Sequence, residues 1–377
     1  MYWERVYLRQ AEPWTNGGTL KLDLPKSGKL GSIMVHAYRA GVTDAFNAQY
    51  KWRLIDYISK IEVLYNGTRP IKSLTGEECK GLSIFDGMGS APDQEFNYGS
   101  STKRAHFMLN FGRRLFDKRY FLDLGRFDSV EIQLTNDGSS TYFGGNWSVD
   151  LLMYMLRGAD APASQGYFRT EDWKSWTTVQ NTWQYLDLPT ELMLRRLLLH
   201  VLPAHGTNQN ADTQGYNVVD QIKLMQRART EHIWDQSLRE LWYENYMTRG
   251  REFLSYLEPY HTGGYGVKTG LGQVLGKAIG QMPQGGTPVT PTIALEPGND
   301  GDTQKLLRTG SDNYSMIMGG LAPENCAVIE FDQDADNPNS WLDLAAVKPV
   351  NLDVHTKDSA SADNGVVRVV LDRLVPA

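Results

Sequence analysis

Short runs in which apolar and polar residues alternate recur along the chain, and a period of two predicts strands with one buried face. Phe107, Leu109 and Phe111 alternate with Met108 and Asn110, and Val130, Ile132 and Leu134 with Glu131 and Gln133. The runs 149–156 and 366–371 are apolar at both parities, which predicts central strands covered on both faces. Asn66-Gly67, after Ile61, Val63 and Tyr65, is the signature of a type I′ hairpin turn, because both central residues must take positive φ. The returning strand 69–74 runs into Thr75-Gly76-Glu77-Glu78, a capping-box pattern that starts a short helix through about Phe85.

These elements come twice. Leu22-Asp23-Leu24-Pro25 recurs as Leu186-Asp187-Leu188-Pro189, an offset of 164 that also carries His36 to His200 within the apolar strands 33–38 and 197–202. Further on the offset is 220: Phe111 answers to Phe331, Leu122-Asp123-Leu124 to Leu342-Asp343-Leu344, and Val130, Ile132 and Leu134 to Val350, Leu352 and Val354. The difference places 56 extra residues inside the second copy. The segment 261–323, with Gly263-Gly264, Gly285-Gly286, Pro288, Pro291 and Gly298-Asn299-Asp300-Gly301, holds them and reads as a long functional or interface-forming loop. Ile222 and Leu224 mark the strand before the second copy's helix, whose apolar face is read as Trp234, Leu238, Leu241 and Trp242, with Gly250 as C-cap.

The small, polar stretch 158–165 with Pro162 reads as a linker between a unit at 1–157 and a unit at 166–377. Each unit then holds about eight short strands and one helical insertion. The expected fold is all-β: two tandem eight-stranded antiparallel β-sandwiches of the jelly-roll kind.

Composition sharpens this reading. At 377 residues the chain is long enough for two cores, and 41% hydrophobic with 11% aromatic residues excludes disorder for its bulk. Lys plus Arg (38) against Asp plus Glu (44) leaves a net charge of -6, so broad phosphate neutralisation, and with it a grip on nucleic acid, is not expected. Cys79 and Cys326 lie far apart and read as two small buried side chains rather than a disulfide or zinc site. No stretch approaches eighteen apolar residues, and the N-terminus lacks the apolar core of a signal peptide; a soluble protein made in the cytoplasm is expected.

Candidate chemistry is sparse. The run from Gly270 to Ala278 has one residue too many for GxGxxG and lacks the Ser or Thr that follows the lysine of a phosphate loop. Its Leu271, Val274, Leu275, Ala278 and Ile279 stand at helical spacing, and Gly272, Gly276 and Gly280 recur every four residues, which predicts a short helix with a smooth glycine edge. Asp332, Asp334, Asp336 and, at the twelfth position, Asp343 imitate a calcium loop. Asn337 replaces its glycine, Pro338 follows, and the closing acid is not Glu, so a solvated acidic turn is the favoured reading over calcium. His200 and His205 straddle Pro203, and His36 and His200 read as matched strand residues rather than ligands. Glu77 and Glu78 are accounted for by the helix dipole. No catalytic, cofactor or metal residue is assigned. Tyr2, Trp3, Val6 and Tyr7 beside Arg5 and Arg9 suggest an arm that contacts a neighbouring subunit or an anionic membrane at the base, against the plainer reading of a frayed end.

The segment ISKIEVLYNGTRPIKSLTGEE at 58–78, Phe111-Gly112, Leu122-Asp123-Leu124-Gly125-Arg126-Phe127, Gly166 to Thr170, Leu188-Pro189 and Arg195-Arg196-Leu197-Leu198-Leu199 resemble the double jelly-roll major capsid proteins of tailless icosahedral (adenovirus-lineage) viruses, over nearly the whole chain. The resemblance implies two jelly rolls side by side, homotrimers of pseudo-hexagonal outline, and a place in the virion without enzymatic activity or cofactor. As partners it implies neighbouring capsomers, penton and minor capsid proteins and, in many members, a membrane beneath the shell. With Thr19 read as the start of the first strand and Ala377 soon after the last, no long terminal arm beneath the shell is expected. The reading from another class is a tandem β-sandwich that binds or cleaves glycans, which would need an exposed aromatic platform or a convergent carboxylate pair in a cleft.

Overall fold

The computed structural model describes residues 1–39, 53–87, 93–96, 102–138, 145, 147–203, 212–213, 215–249, 253–258, 271–281, 294–296, 303–305, 314–332, 337, 341–359 and 362–377. Eight strands build the first unit: β1 (Tyr2–Trp14), β2 (Thr19–Asp23), β3 (Lys29–Arg39), β4 (Ile58–Tyr65), β5 (Arg69–Leu74), β6 (Lys103–Asn110), β7 (Val130–Asn136) and β8 (Trp147–Arg157). Eight more build the second: β9 (Gly166–Thr177), β10 (Trp183–Asp187), β11 (Met193–Leu202), β12 (Val219–Gln226), β13 (Glu231–Ser237), β14 (Cys326–Glu330), β15 (Val350–Thr356) and β16 (Val366–Pro376). The helices α1 (Gly76–Asp86) and α2 (Leu238–Arg249) follow β5 and β13, and a short α3 (Leu344–Val347) precedes β15.

In the first unit the strands run in the orders β1-β8-β3-β6 and β2-β7-β4-β5; in the second, β9-β16-β11-β14 and β10-β15-β12-β13. Adding eight to every label converts one unit into the other, and the orders are those of a jelly roll. The repeat extends to single hydrogen bonds. Leu24 N–H donates to Val130 O at 2.8 Å as Leu188 N–H donates to Val350 O at 2.9 Å, and Phe111 N–H donates to Gly31 O as Phe331 N–H donates to Arg195 O, both at 2.9 Å. These pairs stand at the offsets of 164 and 220.

Local signals hold where they are strong. Asn66 and Gly67 have φ of 50° and 74°, as a type I′ turn demands, and the Thr75 side chain accepts from Glu78 N–H while the Glu78 carboxylate accepts from Thr75 N–H. Ser237 and Glu240 make the same reciprocal pair at the start of α2.

Three expectations are corrected. The first strand begins at Tyr2, not Thr19: the supposed arm is β1, paired with β8 from Tyr2↔Arg157 to Trp14↔Trp147. Trp14 holds it, buried against Trp147 with ring centroids 5.3 Å apart. Trp234 lies on β13 opposite Leu224, not on the helix, and Gly250 falls outside the described residues. Leu271–Gln281 is a strand, paired with Tyr314–Pro323 from Leu271↔Pro323 to Gln281↔Tyr314. Glycine weakens a strand about as much as a helix, so the apolar spacing is overridden by the partner strand, whose ladder satisfies the backbone of both segments. The segment 261–323 is therefore not loop alone. Tyr314–Pro323 also pairs with Phe253–Glu258, which pairs in parallel with Asp93–Phe96 of the first unit. Asp212–Thr213, Thr303–Lys305 and Ala294–Glu296 form a further small sheet.

The core explains why 197–199 and 366–371 are apolar at both parities. Leu197, Leu199, Val369 and Leu371 pack in the second sandwich, whereas Leu198 and Val370, facing the other way, join the core of the first. Among the described residues no helix is long and apolar enough to cross a membrane.

Candidate functional site: the joint between the sandwiches

Strands β5 and β9 pair in parallel, Lys72↔Thr170 and Ser73↔Glu171, and so fuse one sheet from each sandwich into a single eight-stranded sheet. Helix α1 lies across this seam. A Cβ on Gly81 would stand 2.9 Å from Cys326 Sγ, so glycine is what lets the helix approach β14 so closely. Both cysteines are buried thiols, and burial pushes the Cys79 thiol well up.

Two buried charge networks close the seam. In the first, Arg53 is fully buried and donates to Asp56 (2.6 Å) and to both carboxylate oxygens of Glu324 (2.8 and 2.9 Å), with Glu77 at 3.4 Å. Lys80 stands 3.5 Å from Glu324. His200, also buried, lies between Glu77 and Glu78 at 3.4 Å from each. Burial works to raise the Glu78 carboxyl, but the His200 hydrogen bond and charge, the Thr75 N–H and Arg368 outweigh it and hold it below the ordinary value. Asp172, which accepts from Arg368 at 2.8 Å, is raised by burial and by the Glu78 charge.

In the second network, Lys72 Nζ donates to Thr170 Oγ1 (2.6 Å), which donates to Asp372 Oδ1 (2.7 Å). Arg195 and Arg196 donate to Asp372 Oδ2 at 3.1 and 2.9 Å, and Arg196 stands 2.7 Å from Asp86 on α1. Burial lowers the Lys72 ammonium to about 8, whereas burial of Asp372 is outweighed by Arg196, Arg195 and Lys72, which keep its carboxyl below the usual range. The consequence is a joint in which nearly every charge is matched by one from the other sandwich.

A cavity of about 180 Å³ beside the first network is lined by Asp56, Ser59, Thr75, Glu77, His200 and Arg368 among others. Of the three acids that line it, Asp56 and Glu77 are held by Arg53, and the third is Asp137. The glycan reading also needs an aromatic platform. Trp183 and Tyr185 stack at 14° on β10, but Lys223 lies 5.2 Å over the first ring and Arg229 5.2 Å over the second.

The residues singled out in the sequence fall as follows. Asp332 accepts from Arg195 Nε (3.0 Å) and Trp341 Nε1 (2.9 Å), and Asp343 caps α3 through Ala345 and Ala346 N–H, as Asp123 accepts from Gly125 N–H. Both carboxylates thus serve the fold, while Asp334, Asp336 and His205 lie outside the described residues. Among the described residues no group of three or more His, Cys, Asp or Glu is arranged to hold a metal ion. His36 and His200 match in strand position but not in surroundings: His36 is part-exposed, 3.2 Å from Asp150, whereas His200 is at the seam. Glu77 and Glu78 do more than complement a helix dipole. The available signal was Arg195-Arg196 within an apolar run, since a strand covered on both faces cannot bury two cations without acids from elsewhere.

No family model and no curated protein sequence matches the chain. Solved structures do. The MCP of STIV, Sulfolobus Turreted Icosahedral Virus, is similar with a TM-score of 0.60 at 11% identity, over 100% of this chain and 97% of that one. The PBCV-1 virus capsid gives 0.60 at 9% identity over 99% and 93%, and the major capsid protein P2 from bacteriophage PM2 gives 0.51 at 10% over 99% and 98%. At such identities the likeness is one of fold: the chain has the double jelly-roll fold.

Proposed function

We propose that the protein is a viral major capsid protein that assembles as a homotrimer of pseudo-hexagonal outline and tiles an icosahedral shell. The observation that carries this is the edge-to-edge fusion of two copies of one sandwich by β5 and β9, in a fold shared end to end with capsid proteins. Three such chains present six similar sectors, so one polypeptide meets six neighbours while its halves diverge to suit unlike contacts. On this reading the units are 1–157 and 166–377 joined by 158–165, the location is the virion, and the role is structural rather than catalytic. The partners are neighbouring capsomers, penton and minor capsid proteins and, where present, an internal membrane. The net charge of -6 fits a shell that leaves the genome to others. Sedimentation at three times the 42.5 kDa chain mass, with hexagonal outlines in negative stain, is the expected result; a monomer at high concentration overturns the proposal.

A further inference from the structure

The inward-facing rows of the first sandwich are apolar until the last. On β3 they read Ile33, Val35 and Ala37, on β6 Phe107 and Ala105, and on β8 Val149, all buried. The next row across the sheet is Trp147, Arg39 and Lys103, in the register Trp147↔Arg39 and Arg39↔Lys103. Arg39 is 9% exposed and Lys103 3%, so two cations stand directly opposite one another at the end of a hydrophobic core. Like charges opposite one another on neighbouring strands repel, and burial magnifies the cost unless an anion offsets it.

The seam shows how this protein treats a buried arginine elsewhere: Arg53 is met by Glu324, and Arg195 and Arg196 by Asp372. Arg39 has no such acid among the described residues, and its Nε is buried without a hydrogen-bond partner. Burial lowers its pKa, and no acid among the described residues acts to raise it. Gly145 lies against the guanidinium at a φ of +111°, and a Cβ there would stand 2.8 Å from Nη2, so glycine keeps a side chain out of the space beside the cation. The fold itself does not require the pair. The offsets of 164 and 220 carry Arg39 to Pro203 and Lys103 to Pro323, and the second sandwich thus holds no charge at either position.

We infer that Arg39 and Lys103 form a binding site for a small free oxyanion of the phosphate type. The guanidinium offers N–H donors in a fork that matches two oxygens of such an ion, and the ammonium adds a point charge from the neighbouring strand. The burial of both cations favours a bare ion over the end of a bulky phosphate ester. Binding offsets a repulsion that the sandwich otherwise carries, so the ion stabilises the first unit. The inference stands apart from the capsid reading, because the site lies within one sandwich and is measurable in any state of assembly.

The test is thermal unfolding of the full chain in buffer free of phosphate and sulfate, titrated with inorganic phosphate at constant ionic strength. The melting temperature should climb with the logarithm of phosphate concentration beyond half-saturation, and equilibrium dialysis with labelled phosphate should find a single ion per chain. Arg39→Met should melt no lower than the wild type without phosphate, since it removes an unpaired buried charge, and should lose the response. Lys103→Met should weaken phosphate binding by about tenfold or more. Absence of bound phosphate at millimolar concentration in the wild type overturns the site, whatever the variants do. An Arg39→Met protein that keeps the response, or that melts lower by the same amount at every phosphate concentration, also overturns it and shows that the protein itself holds the guanidinium. Phenyl phosphate that binds as tightly as the free ion overturns the choice of a bare anion.

Discussion

Lys72 is the residue at which the charge balance of the joint is most open to measurement. Its ammonium is buried, donates to Thr170 and has its pKa lowered from 10.5 to about 8, mainly by burial. The folded state therefore releases this proton before the unfolded state does. Below pH 8 both states are protonated and the cost of burying the charge is fully present; between pH 8 and 10.5 it is relieved, and stability rises with pH. At about 1.4 kcal/mol per unit, the cost is about 3 kcal/mol. Lys72→Met removes it while giving up one hydrogen bond of about 1 kcal/mol, and Asp372 keeps both arginines. The variant is therefore expected to be more stable by about 1–2 kcal/mol at pH 7. Urea denaturation of both proteins from pH 7 to 11 isolates the effect, because tyrosines that titrate there are common to both. The wild type should gain about 3 kcal/mol on the variant over that range. A difference that is flat with pH, or a variant weaker by more than about 2 kcal/mol at pH 7, would refute the reasoning and show that the cation is solvated or needed to hold Asp372.

Further outcomes follow from the same geometry. Arg53→Met removes the guanidinium that Asp56, Glu77 and Glu324 share, and a loss of about 3–5 kcal/mol in chemical denaturation is expected. Gly67→Ala, where nothing stands within 4 Å but φ is +74°, should cost about 1 kcal/mol through the backbone alone. Gly81→Ala should cost about 1–3 kcal/mol by crowding Cys326 Sγ, and Cys326→Ala should recover part of the second loss and none of the first; a double-mutant cycle showing no coupling at Gly81 counts against the close helix approach.

Much of the fold was legible without coordinates because its signals are local. Asn66-Gly67 states its own turn, Thr75 to Glu78 its own helix start, and the offsets of 164 and 220 survive down to individual backbone hydrogen bonds. Less local features were misread or invisible. Leu271–Gln281 carries an apolar spacing that suits a helix, yet Tyr314–Pro323, far along the chain, draws it into a sheet. An exposed edge strand lacks clean alternation, so β1 read as an arm until β8 gave it a partner. Leu197-Leu198-Leu199 announced burial on both faces, but not that one face belongs to the other sandwich. The sequence by itself determined two copies of an eight-stranded unit, since period, turn chemistry and repetition are written in neighbouring residues. Only the tertiary structure decided how the copies join. Arg53 meets Glu324, and Lys72 meets Thr170 and Asp372, across separations at which no local pattern constrains the partner, and buried charge selects whichever opposite charge the fold delivers.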